Sequence, residues 1–451
     1  MLTSRNPYTQ SVQAEYPEHT SEQIQEFLSA SVEAFFQWSY LSFSERGKYL
    51  LSVGELLKSR REELARISTE EMGMLFSDAL LDIDKSIANI AYFVYASENL
   101  LTSEKYEKVE VMYQPLGTLL VIAPWNFPYN QWLRNVIPQL MAWNVILLKH
   151  ASNLPRTSLA LQKLFDDARL PRWVFQSLLM KWKDMEIVIA DSRVQGVSIT
   201  AGEKAGRSVG ALAGKYLKPT VLELWGNDAC IVLPDATVEE SVSIITKWRM
   251  ANGGQKCNAI KRLILVWERW DLIQALVNSF ESFSSWNPLS SETTLPPLVN
   301  HASVAEIAHT VEESMSQGAI LLTGGEMITL GDVSKPQFYL PTILTNVSKN
   351  NIAYDTEFFW PVLVVHTVNS LEEAIALAND SQYWLGCVLI GHNETLLNQC
   401  VQEVQAGNIS LNAPVTSYPH VPYGGIKDSG YWRELWEAGI KAFMNMKTIL
   451  R

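Results

Sequence analysis

Short apolar runs alternate with amphipathic segments through the middle of this chain, and this alternation constrains the fold more than any other feature. The runs are continuously apolar and too short for helices, as expected of parallel strands that are buried on both faces of a sheet. In the first half of the chain they are Thr118–Ala123, Val145–Leu148, Val197–Thr200 and Thr220–Leu224. Helices are predicted between them at Leu159–Ala168 and Glu203–Ala213. This order predicts an α/β fold with helices on both faces of the sheet.

A second alternating series follows, so we expect two α/β domains with a site between them. Its predicted strands are Arg262–Val266, Val362–Val368, Val388–Ile390 and Asn408–Leu411. Its predicted helices are Leu272–Phe283, Leu371–Ala378 and Glu394–Val404. A chain of 451 residues is long enough for two or three domains, each with its own core.

Helices and a ribbon are predicted before the first of these strands. We expect Ser21 to cap a helix over Glu22–Trp38, and Ser44 to cap a helix over Glu45–Leu57. Glu107–Tyr113 roughly alternates between apolar and polar side chains, as a solvent-facing β ribbon does.

Composition and charge exclude several classes of function. The net charge of −12 argues against nucleic acids and anionic membranes, because both are bound by basic surfaces. No segment approaches the ~20 apolar residues of a spanning helix, and the N-terminus lacks a signal-peptide pattern. The cysteines show neither metal-ligand spacing nor a disulfide framework; they are Cys230, Cys257, Cys387 and Cys400. We therefore expect a cytoplasmic protein that acts on a small molecule and binds no metal.

Three segments together carry the groups that thiol-based oxidation of a carbonyl requires. Cys257, at the end of the string N-G-G-Q-K-C, offers a nucleophile, and Lys256 beside it would favour the thiolate. Glu223 ends an apolar strand, where crevices open in α/β proteins, and offers a base for a hydrolytic water. Asn126, in the string P-W-N-F-P, offers an amide that would form an oxyanion hole with the backbone N–H of Cys257.

Each of these residues alone has a simpler explanation. Cys257 would be an inert buried thiol, Glu223 a strand-end carboxylate in an ion pair, and Asn126 a turn-stabilising side chain. Their occurrence together, in this order along an α/β pattern, favours the chemical interpretation.

In this order the three segments resemble the aldehyde dehydrogenase superfamily, and the resemblance runs nearly end to end. It implies an aldehyde-dehydrogenase-like α/β fold: a Rossmann-type cofactor domain, a second α/β catalytic domain and a small oligomerisation ribbon. The cofactor domain would comprise residues 1–99 and 115–225, the catalytic domain residues 226–428, and the ribbon and C-terminal segment residues 100–114 and 429–451. Relatives form dimers or tetramers through such a ribbon, so the resemblance implies a homodimer or homotetramer.

The resemblance also implies a nicotinamide cofactor. The residues that match the family's cofactor-binding positions are Trp125, Lys149, Gly202, Glu357 and Phe359. Ser152 stands where NAD-preferring relatives carry a glutamate for the ribose hydroxyls. Because that carboxylate is missing, a 2′-phosphate has room, and both NAD and NADP remain open.

The substrate class follows from two further matches. Arg134 lies six residues after Pro128, where succinate-semialdehyde dehydrogenases place a carboxylate-binding arginine, and the guanidinium fork suits that task. Ser417 precedes the string P-Y-G-G and is a second candidate contact. The implied reaction is oxidation of succinate semialdehyde, or a similar short aldehyde, to an acid through a thiohemiacetal and a thioester. A purely structural arginine is the alternative at position 134.

Eight of the 15 tryptophans stand where the family pattern has glycine. They are Trp143, Trp173, Trp225, Trp286, Trp360, Trp384, Trp432 and Trp436. Overpacking a fitted site costs ~1–3 kcal/mol, so eight such changes would rival the ~5–15 kcal/mol stability of a domain.

Two hypotheses explain these tryptophans. In the first, the host reads the UGA codon as glycine. Translation of its gene with a code that reads UGA as tryptophan would then give tryptophan at these glycine positions. In the second, the chain is a non-catalytic, aldehyde-dehydrogenase-like scaffold or dinucleotide-binding protein whose cofactor cleft is blocked by Trp225 and Trp360. A phosphorylating or CoA-acylating relative is disfavoured, because Glu223 offers a base for hydrolysis to the free acid.

Overall fold

The computed structural model describes all residues from Met1 to Arg451, and strands and helices alternate through most of the chain. The α-helices are α1 (Ser21–Ser39), α2 (Phe43–Ser59), α3 (Arg61–Met72), α4 (Phe76–Leu100), α5 (Asn130–Met141), α6 (Pro155–Asp167), α7 (Met185–Ala190), α8 (Glu203–Lys215), α9 (Val238–Arg249), α10 (Trp270–Glu281), α11 (His301–Ser316), α12 (Leu371–Asn379), α13 (Glu394–Glu403) and α14 (Trp436–Lys441). The β-strands are β1 (Leu2–Arg5), β2 (Val12–Tyr16), β3 (Glu104–Tyr106), β4 (Val109–Pro115), β5 (Thr118–Ile122), β6 (Val145–Lys149), β7 (Phe175–Ser177), β8 (Val194–Thr200), β9 (Thr220–Glu223), β10 (Ala229–Val232), β11 (Arg262–Val266), β12 (Ile320–Thr323), β13 (Met327–Ile328), β14 (Phe338–Tyr339), β15 (Thr342–Thr345), β16 (Val362–Val368), β17 (Tyr383–Trp384), β18 (Gly386–Ile390), β19 (Asn408–Leu411), β20 (Ile426–Lys427), β21 (Gly430–Tyr431) and β22 (Met444–Leu450).

A six-stranded sheet is built from the first apolar series, in the order β21-β9-β8-β5-β6-β7. Neighbouring strands from β5 to β9 run parallel, and only the short β21 runs antiparallel, beside β9. Every residue of β5 and β6 is buried, which explains why these strands read as continuous apolar runs. The predicted parallel sheet is confirmed.

A seven-stranded sheet is built from the second series, in the order β12-β15-β16-β11-β10-β18-β19. Its pairs are parallel except that β12 runs antiparallel to β15. β11, β16 and β19 have the predicted bounds. The chain passes from one sheet to the other between β9 and β10. A Cβ atom at Gly226, in this crossing, would lie 2.6 Å from the carbonyl oxygen of Cys257, so the loop after α9 lies at the junction.

A small third sheet contains the predicted ribbon. β4 pairs antiparallel with β3 on one side and with the C-terminal β22 on the other, in register from Met444 opposite Pro115 to Leu450 opposite Val109. The segment predicted to be a ribbon therefore forms a strand that is tied to the end of the chain.

The predicted helix caps Ser21 and Ser44 were wrong, because each lies inside its helix. Thr20 caps α1: its Oγ1 accepts the N–H of Gln23 at 3.3 Å, and its own N–H donates to Gln23 Oε1 at 2.9 Å. Ser42 caps α2 through the same reciprocal pair with Glu45. In both helices the glutamine or glutamate three residues on selects the earlier residue as the cap.

The main apolar core joins the N-terminal helices to both sheets. Trp38 of α1 is fully buried and donates its indole N–H to the carbonyl oxygen of Leu140 at 2.9 Å. None of the helices combines the length and the apolar character needed to cross a membrane.

Five tryptophans have a left-handed backbone conformation. Their φ angles are 65° at Trp143, 73° at Trp173, 69° at Trp267, 69° at Trp432 and 51° at Trp436. For a bulky side chain this region is a genuine outlier. Tryptophan supplies five of the 13 non-glycine residues with positive φ, although it supplies only 15 of the 451 residues of the chain. Four of the five positions had been singled out from the sequence, and Trp267 had been missed.

Candidate active site

The loop that carries Cys257 follows α9 and is built on left-handed residues. Asn252, Gly253 and Gly254 have φ angles of 51°, 62° and 78°. A Cβ atom at Gly254 would lie 2.6 Å from the carbonyl carbon of Trp360, so glycine is required there for contact as well as for conformation. This turn places Cys257 where two cavities meet, and Cys257 lines both of them.

Asn126 and the Cys257 loop are held together by reciprocal amide hydrogen bonds. Asn126 Nδ2 donates to the carbonyl oxygen of Gln255 at 2.9 Å, and Asn252 Nδ2 donates to the carbonyl oxygen of Asn126 at 2.9 Å. The second amide hydrogen of Asn126 is left over, and the backbone N–H of Cys257 donates to no backbone acceptor. Two N–H donors thus remain beside the thiol, which is the requirement for an oxyanion hole.

The surroundings of the Cys257 thiol favour its protonated form. Burial raises its pKa to about 11, and the charges of Lys261 and Arg134 oppose that rise. Lys261 Nζ donates to the carbonyl oxygens of Lys256, at 3.1 Å, and Cys257, and lies 3.3 Å from Glu357 Oε1. Lys261 was not among the residues that the sequence indicated; its position directly before β11 was the only local signal.

Glu223 lies beneath the site and lines neither cavity. Its side chain is 2 % exposed, and its Oε1 has no hydrogen-bond partner. Burial raises the pKa of this carboxyl well above its usual value; the neighbouring Glu434 raises it further, and Arg134 lowers it. A Cβ atom at Gly424 would lie 2.5 Å from Glu223 Oε1, so this glycine makes the room that the carboxyl occupies.

Arg134 lies between the buried Glu434 and one of the two cavities that Cys257 lines. Its Nε is 2.5 Å from Glu434 Oε2, and the two side chains are 4 % and 0 % exposed. The guanidinium also lies over the Tyr423 ring, 4.9 Å from its centroid. Nε and Nη2, which form one edge of the guanidinium, are both buried and make no hydrogen bond, so the contact with Glu434 is an ion pair only. Nη1 is the remaining nitrogen, and the residue lines the cavity. No local sequence pattern marks Glu434.

The first cavity has a volume of 240 Å³ and brings three predicted residues together. Cys257, Arg134 and Ser417 all line it, together with the aromatic rings of Phe127 and Tyr423. A small molecule in this space would contact the thiol and the guanidinium at once.

The second cavity has a volume of 420 Å³ and contains most of the predicted cofactor-binding residues. Those that line it are Trp125, Lys149, Gly202, Glu357 and Phe359. Ser152 does not line it, but its Oγ accepts a hydrogen bond from Lys149 Nζ at 3.0 Å. Burial lowers the pKa of Lys149 to about 8.

An unpaired carboxylate oxygen shows that this cavity fits a ribose-containing cofactor. Glu357 Oε1 accepts the N–H of Gly226 at 3.0 Å, whereas its Oε2 is buried without a partner. Sugar hydroxyl groups would supply the missing donors. Burial raises the pKa of Glu357 to about 7.

Trp225 narrows the same cavity. A Cβ atom at Gly202 would lie 2.7 Å from Trp225 Nε1, so the indole lies directly over the residue that precedes α8. Trp360 lines the cavity as well. The residues that surround the cleft fit a dinucleotide, and Trp225 is the side chain that crowds it.

Comparison with known proteins agrees with this arrangement. The model of the aldehyde dehydrogenase family matches residues 1–449. A probable succinate-semialdehyde dehydrogenase of Synechocystis, named for NADP(+), is 36% identical over 99% of both chains. The succinate-semialdehyde dehydrogenase of Mycobacterium leprae, also named for NADP(+), is 33% identical over the same shares.

A solved structure shows the same fold along the whole chain. The succinic semialdehyde dehydrogenase of Streptococcus pyogenes in complex with NADP+ superimposes with a TM-score of 0.96, at 32% identity, and each chain is covered completely. The fold and family predicted from the sequence are therefore confirmed. The chain belongs to the aldehyde dehydrogenase family and is an NAD(P)-dependent aldehyde-oxidising enzyme.

Proposed function

We propose that the protein oxidises succinate semialdehyde, or another short aldehyde with a terminal carboxylate, and uses NADP⁺. The observation that carries this proposal is the position of Cys257 between two cavities. One cavity offers Arg134 to a carboxylate, and the other offers Lys149 to a phosphate. The names of the similar enzymes from Synechocystis and Mycobacterium leprae support the same substrate and cofactor.

In the first step, Cys257 Sγ adds to the aldehyde carbon and forms a thiohemiacetal. The thiol transfers its proton to solvent water for this attack, because the thiolate is the nucleophile and burial raises the pKa of the thiol to about 11. Asn126 Nδ2 and the N–H of Cys257 then stabilise the oxyanion. Lys149, Glu357 and Phe359 would hold the cofactor, which would supply the hydride acceptor that converts the thiohemiacetal to a thioester.

In the second step, water hydrolyses the thioester on Cys257, and Glu223 accepts the proton. The raised pKa of Glu223 makes its carboxylate a stronger base than a solvent-exposed carboxylate. Because Glu223 lies beneath the site, its side chain must turn away from Gly424 to reach the thioester. The acid product and a free thiol are released.

The preference for NADP⁺ rests on Lys149 and Ser152. Their hydrogen bond orients an ammonium and a hydroxyl together, and no carboxylate stands at position 152 to repel a phosphate. A glutamate at that position would instead accept hydroxyl groups of a ribose without the phosphate.

The assembly and the compartment are proposed from the fold and the cysteines. A homodimer or homotetramer would form through the sheet of β3, β4 and β22. Its two edge strands, β3 and β22, each pair on one side only. All four cysteines are free, three of them buried, which agrees with a reducing cytoplasm.

The direct test is the rate of NADPH formation with succinate semialdehyde, compared with the rate for a C257A variant. We expect turnover by the unaltered protein only. The alternative is a non-catalytic, dinucleotide-binding protein. That alternative predicts no turnover by either protein, and it also predicts slow alkylation of Cys257 by iodoacetamide.

A further inference from the structure

A lysine next to the nucleophile has no part in the steps described above. Lys256 Nζ lies 3.2 Å from the centroid of the Trp248 ring and 5.7 Å from that of Phe127. No hydrogen bond or ion pair holds the ammonium. Aromatic faces attract a cation but do not neutralise its charge.

The cavity around Lys256 has an excess of positive charge. Its lining includes the cations Lys85, Arg134, Lys247 and Lys256, and the carboxylates Asp78 and Asp82. Asp82 accepts the backbone N–H groups of Tyr129, at 2.9 Å, and Asn130, at 3.3 Å. Asp78 accepts the backbone N–H of Asn252, and burial raises the pKa of both acids.

Lys256 is the partly buried cation of this cavity that forms no ion pair, although the charge of the nearby Asp78 carboxylate favours its ammonium. Arg134 is paired with Glu434, while Lys85 and Lys247 are exposed to solvent. Burial lowers the pKa of Lys256 well below its usual value; the charges of Lys85 and Arg134 lower it further, and those of Cys257 and Asp78 oppose the shift. A bound anion would stabilise the protonated ammonium, whereas a neutral ligand would leave it unpaired.

We infer that Lys256 is the principal contact for the substrate's terminal carboxylate, and that Arg134 holds the opposite side of the same group. This inference rests on the proposed function. It assigns to Lys256 a role in substrate choice, whereas its place in the sequence had indicated an effect on the Cys257 thiol.

The test compares succinate semialdehyde with butanal, which has the same carbon chain without the carboxylate. In K256M, we expect the ratio of the two kcat/KM values to fall about 10- to 100-fold, since hydrogen bonds to charged groups contribute ~1.5–3 kcal/mol. K256R should recover part of the ratio. The matched control is K247M, which removes an exposed charge at the mouth of the same cavity.

The outcomes separate this inference from the proposed function. Absence of a preference for succinate semialdehyde in the unaltered enzyme contradicts the proposed function. A preference that K256M retains contradicts the role of Lys256. The pH profile of Cys257 alkylation should be the same in K256M as in the unaltered enzyme. A shifted profile would show that Lys256 acts on the Cys257 thiol instead of on the substrate's carboxylate. K256Q replaces K256M if the methionine disturbs packing against Trp248.

A second inference rests on backbone conformation and is independent of the first. We infer that the polypeptide made in its host carries glycine at positions 143, 173, 267, 432 and 436. Left-handed φ angles are adopted readily by glycine and rarely by tryptophan. Position 267 supports this view because the conformation alone identifies it, without any resemblance to a family.

The same replacement at position 225 would open the cofactor cleft. The indole of Trp225 lies over Gly202, and glycine has no side chain to place there. A UGA codon at each of these positions, read as glycine in the host, accounts for the whole set in one step.

The deciding measurement is tandem mass spectrometry of the protein isolated from its native host. Glycine is expected in the peptides that cover positions 267 and 432, and tryptophan there would overturn the inference. A recombinant test uses W267G, W432G and the control W286G, because the three side chains are 55%, 51% and 54% exposed but only Trp286 has no left-handed φ. W267G and W432G should each raise Tm by about 2 °C, whereas W286G should not. Equal effects in all three would contradict the argument from conformation.

Discussion

Arg134 and Glu434 form an ion pair with a 2.5 Å separation between Nε and Oε2, and both side chains are almost completely buried. Arg134, which matches a substrate-binding position of the family, therefore also contributes to the stability of the folded protein. Loss of activity after substitution of Arg134 alone does not identify it as a carboxylate contact.

We expect R134M to lower the free energy of unfolding by about 3–5 kcal/mol, because Glu434 would be left buried and unpaired. The double variant R134M/E434Q should recover most of this loss, since it removes both charges. Chemical denaturation of the two variants and of E434Q measures the coupling. Equal stabilities of R134M and R134M/E434Q would contradict the expected cost of leaving Glu434 buried and unpaired. The specificity of the stable double variant then reports the substrate contact separately.

Ser152 is expected to set the cofactor preference. In S152E, the new carboxylate would repel the 2′-phosphate and pair with Lys149, so the affinity for NADP⁺ should fall about 100-fold while that for NAD⁺ rises. S152A is the control, because it removes the hydroxyl without adding charge. Fluorescence titration of both cofactors gives the dissociation constants. An unchanged preference in S152E would place the adenosine ribose elsewhere.

The affinity for NADP⁺ should depend on pH through Lys149. Burial lowers the pKa of this ammonium to about 8, so it is charged below pH 8 and loses its charge above it. The dissociation constant of NADP⁺ should therefore rise as the pH increases through about 8, whereas that of NAD⁺ should change little. Titrations between pH 7 and pH 9.5 measure the effect, and K149M should abolish the difference. A dissociation constant that falls with pH would contradict the assignment.

Particular residues show what the sequence was able to predict. The continuous apolar runs predicted the parallel strands, because strands buried on both faces present no side-chain face to water. The string around Cys257 predicted the loop and its neighbour Asn126, which the structure brings together. The caps were misplaced by one or two residues, because several serines and threonines compete at each helix start.

Other features depend on contacts between distant segments. Glu434 acts on Arg134 across 300 positions of the chain, and no local pattern marks it. The retracted position of Glu223 follows from the close approach of Gly424, which only the folded structure shows. The left-handed φ of Trp267 could not be predicted from the sequence either, because no neighbouring residue distinguishes an exposed tryptophan in this loop between β11 and α10.

The central claim is that Cys257 carries the acyl group and that Glu223 is needed to release it. The most direct measurement is a single-turnover experiment with E223Q, NADP⁺ and succinate semialdehyde, followed by mass spectrometry of the acid-quenched enzyme. We expect a burst of about one NADPH per site and a succinyl thioester on the peptide that contains Cys257. An E223Q enzyme that turns over at the unaltered rate, or an acyl group on any other residue, would contradict the account.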